Sequence, residues 1–339
     1  MSVIRKAAGI KDAWAHAFRV GTVTSAEILA KNVTRELIHT HFSSLTAENA
    51  MKMAHIHPEE RRWDTAEADV IADFARESSI LLRGNAFVCH RQVPEWVFRD
   101  GNGAVSQATL FGRLECHIAA MAERYGDIVY AWDVLSEVMD AGSPDGMRMS
   151  EWYRTGGAGL WEFAFRTAHA AAPESRLFCT DYGIESGMKM DGTLRFLSGL
   201  LDAGVPVHGI GIEGHWNYNH PDEKILRTAL ERYSALGLDI ELTEVDVSAY
   251  GTDEAGIRYP DIPQDRKFMQ AQQFKNIFRI AADYPAVKNI TLRGPAGGHT
   301  PFDDFPVRDC RNWPLLFDTE YKAKSFVPEL IDTGFSLTD

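Results

Sequence analysis

Two short stretches of this chain share a form that could do chemistry. Residues 128–140 read I-V-Y-A-W-D-V-L-S-E-V-M-D, and residues 239–248 read D-I-E-L-T-E-V-D-V-S. Each carries β-branched and apolar residues that suit a buried strand, and each ends in carboxylates. The first brings Glu137 to a strand end and the second brings Glu244, roughly a hundred positions later. A strand tip is the usual place for reacting groups in parallel α/β proteins. Two such carboxyls suit displacement at an anomeric carbon. One attacks as a carboxylate; the other protonates the leaving oxygen and then takes a proton from water. The second must stay protonated near neutral pH, helped by partial burial and by its negative neighbour. His215, one expected strand before Glu244, is placed to orient it by a hydrogen bond. The plainer alternative for His215 is a satisfied core histidine.

The elements that would position these groups recur in a strand-then-helix rhythm. Strands are expected at residues 18–24, 41–46, 81–89, 128–135, 176–180, 207–212, 239–245 and 288–292. Helices are expected at residues 65–78, 107–125, 159–172, 190–203, 222–235 and 266–283. Eight strands alternating with helices imply a parallel sheet with right-handed crossovers, closed as a single (β/α)8 TIM barrel over residues 1–339. An open doubly wound sheet is the alternative, but no Gly-rich dinucleotide fingerprint follows the first strand. The barrel reading requires functional polar residues just after strands. They are there: Glu48 and Asn49, His90 and Gln92, Glu137, Asp181 and Tyr182, Glu213 and His215, Glu244 and Asp246, and Arg293.

Composition narrows the partners. The 339 residues are 45% hydrophobic and 24% charged, enough apolar material for a large core. Thirty-five Lys and Arg against 48 Asp and Glu give a formal charge of −13, which argues against nucleic acid or an anionic membrane as partner. Cys89, Cys116, Cys179 and Cys310 show no metal-like or disulfide-framework spacing. Cys89 and Cys179 read as small buried hydrophobes. His90, His215, His220 and His299 form no H-x-H pair on an early strand, so neither a metal nor another cofactor is expected. No apolar run approaches a membrane span, and residues 1–12 lack a signal-peptide core. A cytoplasmic location is the default expectation, with secretion the alternative if a leader has been removed. A monomer or weak homo-oligomer is expected. With no carbohydrate-binding module in the chain, soluble oligosaccharide is expected over insoluble polymer.

Six fragments together resemble the retaining β-glycanases of glycoside hydrolase family 10, the xylanase family. They are F-S-S-L-T-A-E-N-A-M-K (42–52), H-R-Q-V-P-E-W-V-F (90–98), Y-A-W-D-V-L-S-E (130–137), G-I-G-I-E-G-H-W (209–216), L-T-E-V-D-V-S (242–248) and P-L-L-F-D (314–318). The resemblance covers nearly the whole chain, with the fragments in the family's order. It implies that Glu137 is the acid/base and Glu244 the nucleophile. It also implies that Glu48, Asn49 and Lys52 line the glycone side, with His90, Gln92 and His215 around the reacting pair.

Departures from the family pattern cluster where sugar would be held. Ser136 stands where the family has Asn, losing a donor and acceptor for the sugar 2-hydroxyl. Asn85 replaces the His of an R-G-H motif, Cys89 replaces a Trp, and Glu213 replaces a Gln. Leu292-Arg293-Gly294 replaces Phe-Trp-Gly, and a second roofing Trp aligns with Pro301, so Trp313 or Phe302 is a candidate to rebuild the lid. A charged Glu213 in an enclosed site would be costly, so Arg293 is expected either to pair with it or to bind an anionic substrate group. The contact residues to watch are therefore Asn85, Ser136, Tyr182, Glu213 and Arg293. The expected activity is endo-β-1,4-xylanase-like hydrolysis of xylan or xylo-oligosaccharides. The alternatives are a retaining glycosidase for a uronic-acid-bearing oligosaccharide or a plant glycoside with a bulky aglycone, and a non-catalytic carbohydrate binder.

Overall fold

The computed structural model describes residues 9–337 except 102, 144, 252–253, 255–256, 258 and 299–311. Eight parallel strands close into a barrel: β1 Arg19–Thr24, β2 Ser44–Ala47, β3 Leu81–Cys89, β4 Val129–Ser136, β5 Arg176–Tyr182, β6 Gly209–Asn217, β7 Asp239–Ser248 and β8 Val287–Leu292. Each pairs with its sequence neighbours, and β8 pairs back onto β1. Crossover helices such as Gln107–Tyr125, Gly159–Ala171, Glu223–Ser234 and Gln264–Ala282 cover the outside. The expected (β/α)8 barrel is the fold.

The main boundary errors have local causes. Residue 41 was expected to open β2, but it closes the amphipathic helix Asn32–His41, which buries Thr34 and Ile38. The four residues of β2 are all buried, so they carry no alternating signal to mark their start. Strands β6 and β7 run on together past their expected ends, pairing His215 with Asp246, Trp216 with Val247 and Asn217 with Ser248. That extension carries the sixth and seventh strand tips into the mouth of the barrel. Among the described residues no helix is long and apolar enough to cross a membrane.

The closed end of the barrel is polar. Arg83, 1% exposed, donates to Asp133 at 2.5 Å and to Glu241 at 2.7 Å, and its guanidinium lies 4.3 Å from the Phe178 ring centroid. The Thr180 hydroxyl donates to Asp133 and the Tyr130 hydroxyl to Glu241. Gly84, beside Arg83, admits the Trp132 ring, which a Cβ there would meet at 2.0 Å. Among the described residues, removing Arg83 leaves buried Asp133 without a cation and Glu241 with only Arg19, at 3.4 Å. Arg83→Met is expected to destabilise the fold by about 3–5 kcal/mol, because an uncompensated buried charge costs more than the pair contributes. Urea denaturation monitored by tryptophan fluorescence checks this; an unchanged midpoint would show that the network is not needed.

Candidate active site

The two candidate carboxyls reach the cavity by the same backbone device. Glu137 directly follows β4 with φ +56°, and Glu244 lies within β7 with φ +52°. Neither residue is glycine, so the left-handed conformation costs about 1–3 kcal/mol at each and must be held by its surroundings. At Glu137 the backbone N–H donates to Thr180 O at 2.9 Å, and the carbonyl accepts from Arg148 Nε at 2.8 Å. At Glu244 the register supplies the reason. Between Glu213 and His215 the β6 strand advances two residues while β7 advances three, from Thr243 to Asp246. The extra residue makes a bulge, which re-aims a side chain that regular pairing would direct elsewhere.

Both side chains open into one cavity of about 600 Å³, shared with Lys52, Gln92, Tyr182, Glu213, His215 and Arg293. Glu244 is the most heavily tied. Its Oε2 lies 3.3 Å from His215 Nε2 and 3.1 Å from Arg293 Nε. Burial pushes its acidity toward neutrality, but Arg293 and His215 outweigh it and hold Glu244 at about 2. Glu137 goes the other way: burial, with Asp181 and Glu244 adding to it, raises it above the ordinary glutamate value against the pull of Arg91 and Lys52. One carboxyl is kept ionised and the other is biased toward its proton, the division of labour that acid and nucleophile need.

The histidines are equally divided. Burial opposes charge on His215, yet Asp246 at 3.4 Å from Nδ1 and Glu244 at Nε2 raise it well above an ordinary histidine. His215 is thus an imidazolium that bridges two carboxyls. His90 is lowered to about 4 by burial and by Arg148, Arg91, Lys189 and Lys52, so it is neutral. Arg91 Nε donates to its Nε2 at 3.1 Å, leaving the proton on Nδ1, which faces Glu137 Oε2 at 3.4 Å. Glu213–His215–Glu244 and Cys89–His90–Glu137 each bring three side-chain donor atoms within 4.8 Å of one another.

The other residues singled out above divide by position. Glu48 follows β2 and accepts from Arg293 Nη2 at 3.1 Å, and the neighbouring Asn49 carbonyl accepts from the Lys52 N–H. Gln92, at φ +55°, lies on the cavity wall. Tyr182, 37% exposed, accepts a hydrogen bond from Arg148, and Lys189 Nζ lies 3.7 Å from its ring centroid. Ser136 is buried at the tip of β4. Asn85 is buried on β3, and its Oδ1 has no partner among the described residues.

Two expectations need correction. Arg293 does not pair with Glu213. It leaves the tip of β8, whose neighbours in the closed barrel are β7 and β1, so its reach is to Glu244 on one side and to Glu48 past β1 on the other. Glu213 projects from β6, beyond Glu244. Trp313 does not rebuild the roof either. Its carbonyl is held by Gln270 Nε2 at 2.8 Å and Lys324 Nζ at 2.6 Å, and the residue lines a separate cavity with Ile262 and Phe326. Pro301, Phe302, His299 and Cys310 lie outside the described residues.

Sequence reasoning passed over Arg91, Arg148, Lys189 and Glu185. Glu185 pairs with His220 at 3.2 Å on the cavity rim. Arg91 sits within the H-R-Q fragment and was legible there; Arg148 and Lys189 lie in loops or helix starts with no periodic mark.

The Arg293–Glu244 contact has a measurable consequence. Arg293→Met should raise the Glu244 value, since a cation beside a carboxylate lowers it by about 1–3 units. Ionised Glu244 is then lost at higher pH as acid is added. The acid limb of kcat/KM is expected to move up by at least about one pH unit. A limb that stays in place would show that His215 alone sets it.

Comparison with known proteins agrees with this geometry. Residues 9–332 match the profile of glycosyl hydrolase family 10. The chain is 37% identical over 310 residues to endo-1,4-beta-xylanase A of Caldicellulosiruptor saccharolyticus, covering 91% of this chain and 90% of that protein. It is 35% identical over 313 residues to endo-1,4-beta-xylanase B of Paenibacillus barcinonensis, covering 92% and 94%. A crystal structure of a xylanase from Paenibacillus barcinonensis, complexed with a conduramine derivative, superposes with a TM-score of 0.92 at 34% identity, covering 96% of this chain and 99% of that one. The chain belongs to glycosyl hydrolase family 10 and is a glycoside hydrolase.

Proposed function

We propose that this protein is a retaining endo-β-1,4-xylanase acting on xylan or xylo-oligosaccharides, with Glu244 as nucleophile and Glu137 as acid/base. The observation that carries the reading is the pair itself: two glutamates in one cavity, one held ionised by Arg293 and His215, the other biased toward its proton by burial. Glu244 attacks the anomeric carbon while Glu137 gives its proton to the departing oxygen. The glycosyl ester on Glu244 is then displaced by water that Glu137 deprotonates. Arg293 and His215, the latter backed by Asp246, position the nucleophile, and neutral His90 stands beside the acid. Relatives at 35–37% identity that carry the name endo-1,4-beta-xylanase support the substrate class.

A second reading is favoured by the cations of the cavity. Arg91 lies exposed on its wall and, among the described residues, forms no ion pair with a carboxylate. An oligosaccharide bearing a uronic acid would supply one. Turnover of a panel separates the two: plain xylo-oligosaccharides, uronic-acid-decorated ones, aryl glycosides of several sugars and glycosylated plant metabolites with bulky aglycones. Efficient cleavage of plain xylo-oligosaccharides supports the first reading. Silence there with turnover of decorated substrates replaces it with the second.

A further inference from the structure

We propose that Glu213 works as a neutral carboxylic acid, a hydrogen-bond donor on the wall of the reacting cavity, and that its ionisation switches the site off at alkaline pH. The proposal rests on the reading of Glu137 and Glu244 as the reacting pair.

The case begins with placement. Glu213 lies on β6 opposite Tyr182 of β5 and Thr243 of β7, and is only 5% exposed, yet it lines the same cavity as the two glutamates. One of its carboxyl oxygens, a ring nitrogen of His215 and a carboxyl oxygen of Glu244 lie within 4.8 Å of one another. A second carboxyl is therefore packed beside Glu244, in a cavity that Glu137 also lines.

Four cations near it are committed elsewhere, and neither Lys52 nor Arg91 on the cavity wall forms an ion pair with it. Arg293 is bound to Glu48 and Glu244. His215 lies between Glu244 and Asp246. Lys189 is held by Asp181 and the Tyr182 carbonyl, and Arg148 by the Glu137 carbonyl and the Tyr182 hydroxyl. Among the described residues no ion pair reaches Glu213. The groups that act on it are Glu137 just after β4, Cys179, Asp181 and Tyr182 from β5, His215 from its own strand, and Glu244 from β7, with Asp246 behind His215. Lys52, Arg91 and Arg293, with the Glu185–His220 pair, complete the cavity wall. Carboxyls dominate its immediate surroundings, and His215 is the cation among them.

Burial drives Glu213 strongly toward its protonated form, and the charges of Glu244 and Glu137 add to that against the pull of His215. Like-charged carboxyls in one enclosed site cannot all ionise. The one held by Arg293 and His215 gives up its proton first, and Glu213 keeps its own. A protonated carboxyl offers one O–H donor and one carbonyl acceptor, as a carboxamide offers an N–H donor and a carbonyl. Glu213 can thus do the work of the glutamine expected at this position, but only while protonated. Once ionised it is acceptor-only, repels the attacking Glu244 and makes Glu137 a weaker acid.

The test compares wild type with Glu213→Gln, which keeps shape and donor but cannot titrate. The substrate is an aryl β-glycoside whose activated leaving group needs no proton, so that Glu137 does not set the basic limb of kcat/KM. Each protein's profile is scaled to its own activity below neutrality, so that the position of the basic limb, not the level of activity, is the readout. Above neutrality the wild type should lose activity while Glu213→Gln holds on, its basic limb displaced upward by about one pH unit or more. Infrared difference spectra of wild type against Glu213→Gln provide a readout independent of turnover. At pH 7 they should show the carbonyl band of a protonated carboxyl, which disappears as pH rises. Absence of that band, or a basic limb that the substitution leaves unmoved, overturns the proposal. If no glycoside in the panel is turned over, the hydrolase reading fails on its own, and the infrared band still decides the state of Glu213.

Discussion

Glu244→Ala is expected to lower kcat on every glycoside by about 10⁴-fold or more, the scale of loss when a nucleophile that acts as part of a unit is removed. The fold should survive. Arg293 retains Glu48 and His215 retains Asp246, so neither cation is stranded when the glutamate goes. Those two cations then frame an anion-sized gap on the face of the sugar that Glu244 attacked. Added azide should enter it and attack the anomeric carbon directly. One displacement in place of two inverts the stereochemistry, so the expected product is the α-glycosyl azide. Proton NMR of the product decides the matter. A β-configured azide, or residual activity above a few per cent without azide, would remove Glu244 from the nucleophile's role.

Glu137→Ala should show a different signature, because an acid matters in proportion to how poor the leaving group is. Substrates with sugar or alkyl leaving groups are expected to lose about 10²–10⁴-fold in kcat/KM, the usual contribution of a positioned general acid. Aryl glycosides with strongly activated leaving groups should be nearly spared in the first step. The pH dependence changes as well. Glu137 is raised above an ordinary glutamate by burial first of all. Its protonated form is present below that value and lost as pH rises through it, so the wild type loses activity on poor leaving groups as Glu137 ionises. In the variant that limb should vanish. Azide should now yield the β-glycosyl azide, since the nucleophile is intact and the base is missing. Equal losses on good and poor leaving groups would reassign the acid.

How much of this was visible beforehand follows from what each feature depends on. Strand β3 and the helix Gln107–Tyr125 were legible to the residue because their apolar patterns end at clear punctuation, Cys89-His90 and Ser106. The Ser106 hydroxyl does cap that helix, accepting from the Thr109 N–H. Glu137 and Glu244 were legible as strand-tip carboxylates, and His215 as their neighbour. The helix Asn32–His41 was missed because its polar face dominates and its buried stripe is thin.

The sequence by itself determined the alternation of strands and helices, hence the barrel, and the order in which polar groups reach its open end. Those depend on local periodicity and on which residues follow each apolar run. Tertiary structure alone decided how the groups partner. The bulge that turns Glu244 into the cavity exists only in the pairing of β6 with β7. Arg293 meets Glu48 because closure sets β8 one strand away from β2, joining residues 245 positions apart. By taking Arg293, that closure also leaves Glu213 among carboxyls. Ion-pair choice in an enclosed site is a contest among all charges within reach, and reach is a property of the closed barrel rather than of neighbours in the chain.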